Sequence, residues 1–355
     1  MDTITHALVG TTIGQAYFRK KLGNKAPWIG AIASVLPDLD VFYSSGPMSI
    51  FKYHRGYSHA LPIHIIFALG VGLILWALWS QKKHPKIVPI ITLIGLSLAA
   101  HGLLDVLTSY GTQLFLPFTS ERFAGDVIAI IDVFYSGILI VGLLLINVPR
   151  LTIQGPKYAL GLSCTYLLFC YVSNENLKDM IRKELISQND QVGRLESYPT
   201  LFQPFVKQVV AEVDQQIYVG FTSILDPLPI QWTVTEDALS PEVADLRSTK
   251  LGEIFDWFSG SQNCAEVIEK NDQQLTVRIT DFRYINPKTP TQGMWGIEAD
   301  YTDGERVGDV RYYRQRQSWK ELGFAGSWQQ LSDAWQFFWH KAFAPAPVIL
   351  SPKSS

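Results

Sequence analysis

The sequence predicts an α-helical membrane domain followed by an α+β soluble domain with a small antiparallel sheet. Three observations carry this expectation: 47% of the 355 residues are hydrophobic, only 17% are charged, and the charges are unevenly spread. From Met1 to Val172 there are 12 Lys or Arg and 7 Asp or Glu, separated by long apolar blocks. Beyond Ser173 charge returns to the density of ordinary soluble domains. The expected partition is residues 1–172 as a membrane-embedded domain, 173–345 as an extracytoplasmic α+β domain, and 346–355 as a disordered tail rich in Pro and Ser.

The apolar blocks are read in chain order. Residues 4–18 and 28–36 fall short of the ~20 residues that a bilayer core requires, so they predict a short helical hairpin that dips into the membrane or packs on the other helices. Residues 60–80, 87–107, 127–148 and 158–172 predict four spans. A cleaved leader is not expected, because the basic cluster at Arg19, Lys20 and Lys21 follows the first apolar segment instead of preceding it. Lys and Arg are retained on the cytoplasmic side of a membrane. Placing Arg19 to Lys25, Lys82 to Lys86, and Arg150 with Lys157 in the cytoplasm meets no conflict. The same threading sends His6, Asp38, Asp40, His54, His59, Asp105 and Asp126 to the external face, together with the second domain.

Those external residues fall into motifs. In His54-Arg55-Gly56-Tyr57-Ser58-His59, two imidazoles and a guanidinium flank a glycine directly before an apolar block. Imidazole is the commonest protein metal ligand, and ionisable groups at a membrane are costly unless used. In Ala100-His101-Gly102-Leu103-Leu104-Asp105 the histidine and carboxylate are four apart, so a helix presents them on one face. Leu36-Pro37-Asp38-Leu39-Asp40 ends an apolar segment with a proline, which leaves both carboxylates in a turn. His6 interrupts the first apolar segment, and Asp132 stands among apolar residues with no basic neighbour. Asp126, near the membrane entry, reads equally as a helix cap or a site residue. His64 is open between ligand and satisfied bundle residue, whereas His84 and His340 are too remote to join.

His6, LPDLD (36–40), HRGYSH (54–59) and HGLLDVLTSYG (101–111) together resemble the successive signatures of the YdjM-like (DUF457) family of bacterial inner-membrane proteins, and more distantly zinc-dependent phospholipase C and S1/P1 nucleases. The resemblance covers residues 1–148. It implies a membrane-associated metal-dependent hydrolase with His6, Asp38, Asp40, His54, His59, His101 and Asp105 as ligands; Asp132 resembles an aspartate that longer members carry after the third motif.

Four histidines and up to five carboxylates suit two divalent ions sharing an aspartate, zinc by ligand type, with manganese or iron as alternatives. Arg55 then offers its fork to a phosphoryl oxygen, and Asp126 moves a proton. The expected reaction is hydrolysis of a phosphoester, small or lipid, at the external membrane face by a metal-activated water. The competing expectations are a metal-ion transporter, which places ligands through the depth of the membrane, and a metal-binding envelope scaffold. A net charge of -2 and a pI near 6.4 predict no nucleic-acid partner. Three cysteines, two of them inside an apolar block, predict no disulfide framework.

In the second domain residues 275–286, 293–301 and 307–316 alternate like strands, with Asp303-Gly304 as a hairpin turn between the last two. Residues 208–223 and 229–236 are further strand candidates. Residues 175–188 read as a helix leaving the membrane. Trp328, Leu331, Trp335, Phe338 and Trp339 recur at helical spacing.

Overall fold

The computed structural model describes residues 1–43, 46–79, 85–188, 191–260, 262–271, 273–286 and 289–314. The tryptophan-rich stripe at 328–339, His340, the tail, and Lys82, Lys83 and His84 lie outside the described residues. The helical half consists of α1 (Thr3–Ile13), α2 (Arg19–Leu22), α3 (Lys25–Val35), α4 (Pro47–Tyr53), α5 (Leu61–Ala77), α6 (Ile87–Val106), α7 (Val133–Leu144) and α8 (Gln154–Ser187). Then follow β1 (Val192–Pro199), β2 (Val206–Val213), β3 (Gln216–Ser223), β4 (Thr233–Thr235), α9 (Pro241–Ser248) and α10 (Lys250–Ser259). The chain ends its described course with β5 (Asn263–Asn271), β6 (Gln274–Asp281), β7 (Ile285–Asn286), β8 (Thr289–Gly293), β9 (Trp295–Thr302) and β10 (Glu305–Arg314).

The expectation of four spans and a hairpin is corrected. Among the described residues one helix, α6 with 20 residues, is long and apolar enough to cross a membrane. A second crossing exists only if Ser49–His59 and Leu61–Ala77, bent by 58°, act as one span. The physical reasons are local. Asp132 accepts hydrogen bonds from the backbone N–H groups of Phe134 and Tyr135, so the helix starts there, and the 12 residues of α7 extend only about 18 Å. Residues 127 and 128 instead donate their N–H groups to the Leu107 carbonyl. The apolar half of α8 stops at Val172. Its helix continues to Ser187, and buried Asn174, Leu177, Ile181 and Leu185 recur at helical spacing against the sheet.

One small sheet was expected, and the structure has two four-stranded antiparallel sheets, ordered β1-β2-β3-β4 and β10-β9-β6-β5, besides the β7-β8 pair. Residues 208–223, read as one strand, are two. Asp214 and Gln215 both take positive φ (50° and 68°) and close a β2-β3 hairpin with no glycine to announce it. Asp303-Gly304 turns the β9-β10 hairpin with φ of 52° and 80°.

The two halves share a core. Phe51 of α4 is buried among Phe255, Phe258 and Tyr312, with ring centroids 5.1, 4.9 and 5.7 Å away. At the other end α1 crosses α3 with Gly10 against Gly30, so closely that a Cβ on either would collide with the backbone carbonyl of the other. Small residues serve this purpose in membrane helix pairs. Gly10→Leu is therefore expected to lower stability by about 1–3 kcal/mol or more, read as a lower unfolding temperature in detergent.

Candidate metal centre

Four elements carry the site. The Asp2 carboxylate caps α1 by accepting the Thr5 N–H at 3.0 Å, and His6 lies one turn further in, fully buried. The 3-10 run Leu36–Tyr43 follows α3 and holds Asp38 and Asp40. His54, Arg55 and His59 lie in the connection between α4 and α5. His101 and Asp105 lie one turn apart near the end of α6.

The structure brings His6, Asp38, His101 and Asp105 together with one ligand atom from each, all within 4.8 Å of one another. His59 joins them, its Nε2 3.2 Å from Asp105 Oδ2 and 3.7 Å from Asp38 Oδ1. The rings of His6 and His101 stack with centroids 3.7 Å apart. Asp105 Oδ1 also faces the His6 Nε2 at 3.2 Å, the Arg55 guanidinium at 3.1 Å and the Met1 ammonium.

The donor chemistry fits a cation. His101 donates from Nδ1 to the Ser34 carbonyl at 2.7 Å, which turns its Nε2 lone pair inward. His59 sets its Nδ1 against Ser58 Oγ at 2.9 Å and Asp40 Oδ2 at 3.4 Å, and its Nε2 is likewise turned inward. His59 Nε2 and His101 Nε2 are buried 3.2 and 3.4 Å from the buried Asp105 Oδ2, yet none of the three atoms makes a well-aligned hydrogen bond. Orphaned buried polar atoms are costly and rare. Three that converge from two parts of the chain, two of them on imidazoles oriented by their other nitrogen, match a metal ligand set with its supporting shell.

Asp40 belongs to that supporting shell. Its carboxylate accepts the Arg55 N–H at 3.0 Å and the Ser58 hydroxyl at 2.6 Å, besides meeting His54 Nδ1 at 2.7 Å. Asp40→Asn is expected to weaken zinc binding about 10- to 100-fold, measured by competition with a chromogenic chelator. Burial pushes the Asp38 carboxyl up, but the His59, His101 and His6 imidazoles overrule it and hold it down at about 2. It is an anion at neutral pH.

Arg55 adopts φ 59°, a conformation uncommon for a residue with a side chain. Its N–H bond to Asp40 and its carbonyl, which accepts the Gln113 N–H at 3.0 Å, hold it there. The guanidinium donates to Thr108 Oγ1 at 2.7 Å and lies 5.0 Å from the Tyr110 ring centroid. It is buried, so it does not reach out to lipid headgroups. His64 donates from Nε2 to the Ser58 carbonyl at 2.8 Å and so braces the loop.

Asp132 and Asp126 are placed elsewhere. The Asp132 carboxylate caps α7 and also accepts the Tyr166 hydroxyl at 2.8 Å. Asp126 takes φ 52°, and its carbonyl accepts from the Asn174 side chain at 3.3 Å. Burial pushes the Asp126 carboxyl up to about 6, and the neighbouring Glu196 adds to that. The unfolded value is about 3.9, so the native state holds the proton more tightly and loses stability as pH rises from about 4 to 6. Asp126→Asn keeps a residue that tolerates positive φ. It is expected to gain about 1–2 kcal/mol over the parent at pH 7 and nothing at pH 4, read from denaturant unfolding at both.

Sequence reasoning missed Ser34, Ser58, Tyr110 and Arg283. Ser34 acts through a backbone carbonyl, which no side-chain pattern reveals, and Arg283 arrives from the distant second sheet. The model of the family described as YdjM inner membrane protein matches residues 1–177. Inner membrane protein YbcI of Escherichia coli (strain K12) is 30% identical over 125 residues, covering 34% of this chain and 69% of YbcI. The uncharacterized protein YfhP of Bacillus subtilis (strain 168) is 26% identical over 142 residues, covering 38% of this chain and 42% of YfhP. The chain thus spans less than half the length of YfhP. No solved structure matches. With the four motifs assembled in one cluster and a relative aligned over more than two thirds of its length, the chain belongs to the YdjM family of inner membrane proteins.

Proposed function

We propose that this chain is a membrane-bound, metal-dependent hydrolase that cleaves a phosphoester at the external face of the inner membrane. The observation that carries the reading is the convergence of His59 Nε2, His101 Nε2 and Asp105 Oδ2, all buried and all without a well-aligned hydrogen bond. His6, Asp38, His59, His101 and Asp105 would hold one divalent ion, zinc by ligand type, with manganese or iron the alternatives. Asp40 already accepts three hydrogen bonds, which favours a supporting role and one ion over the expected pair. Such an ion supplies Lewis acidity and lowers the pKa of a water towards about 7.

The chain's own residues do the rest. Arg55 offers its guanidinium to a phosphoryl oxygen. His54, oriented by Asp40 on Nδ1, takes the proton of the attacking water on Nε2. The water oxygen bonds to phosphorus, the bond from phosphorus to the ester oxygen breaks, and the imidazolium returns the proton to the departing alcohol. Asp126, expected from the sequence to move this proton, has its contacts elsewhere, and the role passes to His54. The ligand set sits at the end of α6 remote from Lys86, which by the charge rule is the external end. Among the described residues it is the one cluster of its kind, an arrangement that favours a surface site over a transport path.

Elemental analysis of the purified full chain tests the reading. About one equivalent of transition metal is expected in the parent. His54→Ala should keep that metal while hydrolysis of bis-p-nitrophenyl phosphate falls about 10²- to 10⁴-fold. Loss of metal in His54→Ala would restore the two-ion arrangement, and a parent without bound metal would end the hydrolase reading.

A further inference from the structure

A cavity of about 530 Å³ opens beside the ligand cluster, inside the range of small-molecule sites. Asp40 and Ser58 line the end next to that cluster: Ser58 Oγ lies 2.9 Å from His59 Nδ1, and Asp40 Oδ2 lies 3.4 Å from it. Its sides are apolar and aromatic, with Tyr53, Tyr57 and Leu116 from the first half of the chain. A further wall is Ile254 and Trp257 of α10, with Glu253 beside them. That wall lies outside residues 1–177, so it is not part of what the family model describes. Phe51 plugged into the α10 core fixes it in place.

The lining sets one cation, Lys52, against two carboxylates, Asp40 and Glu253, and is otherwise largely apolar and aromatic. Its body is complementary to an apolar chain, and a phosphoryl head is left to the proposed metal centre next to Asp40. Leu39, Val41 and Phe42, in the same 3-10 run as Asp40, are exposed. In an inner-membrane protein such a surface meets lipid. We propose that α10 closes a substrate pocket whose occupant is the single apolar chain of a phosphorylated membrane amphiphile, with Ile254 and Trp257 setting preference for that chain. The inference rests on the hydrolase reading for the identity of the end lined by Asp40 and Ser58.

Two experiments on the metal-loaded full chain in detergent separate the pocket from the chemistry. The first compares kcat/KM for a p-nitrophenyl phosphodiester carrying a dodecyl chain with that for its methyl counterpart. Trp257→Ala and Ile254→Arg are expected to lower the ratio by about tenfold or more. The second irradiates the chain with a diazirine-labelled dodecyl phosphate and maps the adducts by mass spectrometry. Labelling of Tyr53, Tyr57 or the 250–259 helix, reduced in Ile254→Arg, is expected. If nothing is hydrolysed but the adducts map to these residues, the pocket stands and the hydrolase reading falls. An unchanged ratio in both variants, adducts elsewhere, or equal competition by a chainless sugar phosphate or nucleotide overturns the proposal.

Discussion

Asp105→Ala is expected to abolish metal binding and to destabilise the apo-protein by about 3–5 kcal/mol. The carboxylate is fully buried. It is the meeting point of His6, Arg55, His59, His101 and the Met1 ammonium. Deleting it removes one ligand and strips the buried Arg55 guanidinium of its anion. Breaking a buried ion pair from one side costs more than the pair ever contributed, because the surviving charge is left desolvated. Asp105→Asn separates the two effects, since the amide keeps the shape and one acceptor oxygen but not the charge. It should lose metal as fully as the alanine variant with a smaller loss of apo-stability. Melting curves with chelator and with zinc decide this. Zinc at about 100 times its Kd stabilises the parent by about 2.7 kcal/mol and should stabilise neither variant. A zinc response of parental size in Asp105→Ala would show that the cluster is not a metal centre.

The site was more legible in the sequence than the fold around it. His6, His101 and Asp105 could be named because each is an ionisable group set in apolar sequence, where its cost demands a reason; His59 was marked by the HRGYSH run at the edge of an apolar block, and Asp38 by its motif LPDLD. The His101 and Asp105 pair also carries a helical spacing that fixes their common face. Span count was illegible for a related cause. Hydropathy reads an apolar block as a continuous helix, but Asp132 inside block 127–148 caps a helix and breaks the block in two. Asp132 was therefore singled out correctly as an unusual residue and read for the wrong reason. In the second domain Asp303-Gly304 announced its hairpin, whereas Asp214-Gln215 did the same work without a glycine, and Gln rarely adopts positive φ. The strands Val192–Pro199 and Asn263–Asn271 were missed, each being interrupted by charged residues.

How the second domain holds the site together yields the other large effect: Arg283→Met is expected to cost about 3–5 kcal/mol and to loosen the contact between the halves. Arg283 is buried just beyond β6. It grips Asp281 from Nε and Nη2 at 2.9 and 2.7 Å. Its Nη1 donates to the Ser109 and Tyr110 carbonyls at 3.0 and 3.2 Å, and Nη2 to the Phe258 carbonyl at 3.2 Å. The guanidinium therefore ties β6, α10 and the segment that follows α6 at one point. Tyr110 carries the consequence to the centre, since its ring lies 5.0 Å from the Arg55 guanidinium and 5.3 Å from the His54 ring. Methionine fills the volume but leaves the Asp281 carboxylate, also fully buried, without its counterion and three carbonyls without a donor. Lysine cannot span the same set, because an ammonium lacks the planar fork. Limited proteolysis should cut the Arg283→Met chain faster after α8, and hydrolysis should fall with metal content unchanged. A double-mutant cycle with Asp281→Asn identifies the cause, since removing both charges should recover part of the loss as a coupling above about 1 kcal/mol. Strict additivity of the two substitutions would mean that the loss does not come from the Asp281 pair, which leaves the bonds to the Ser109 and Tyr110 carbonyls to account for it.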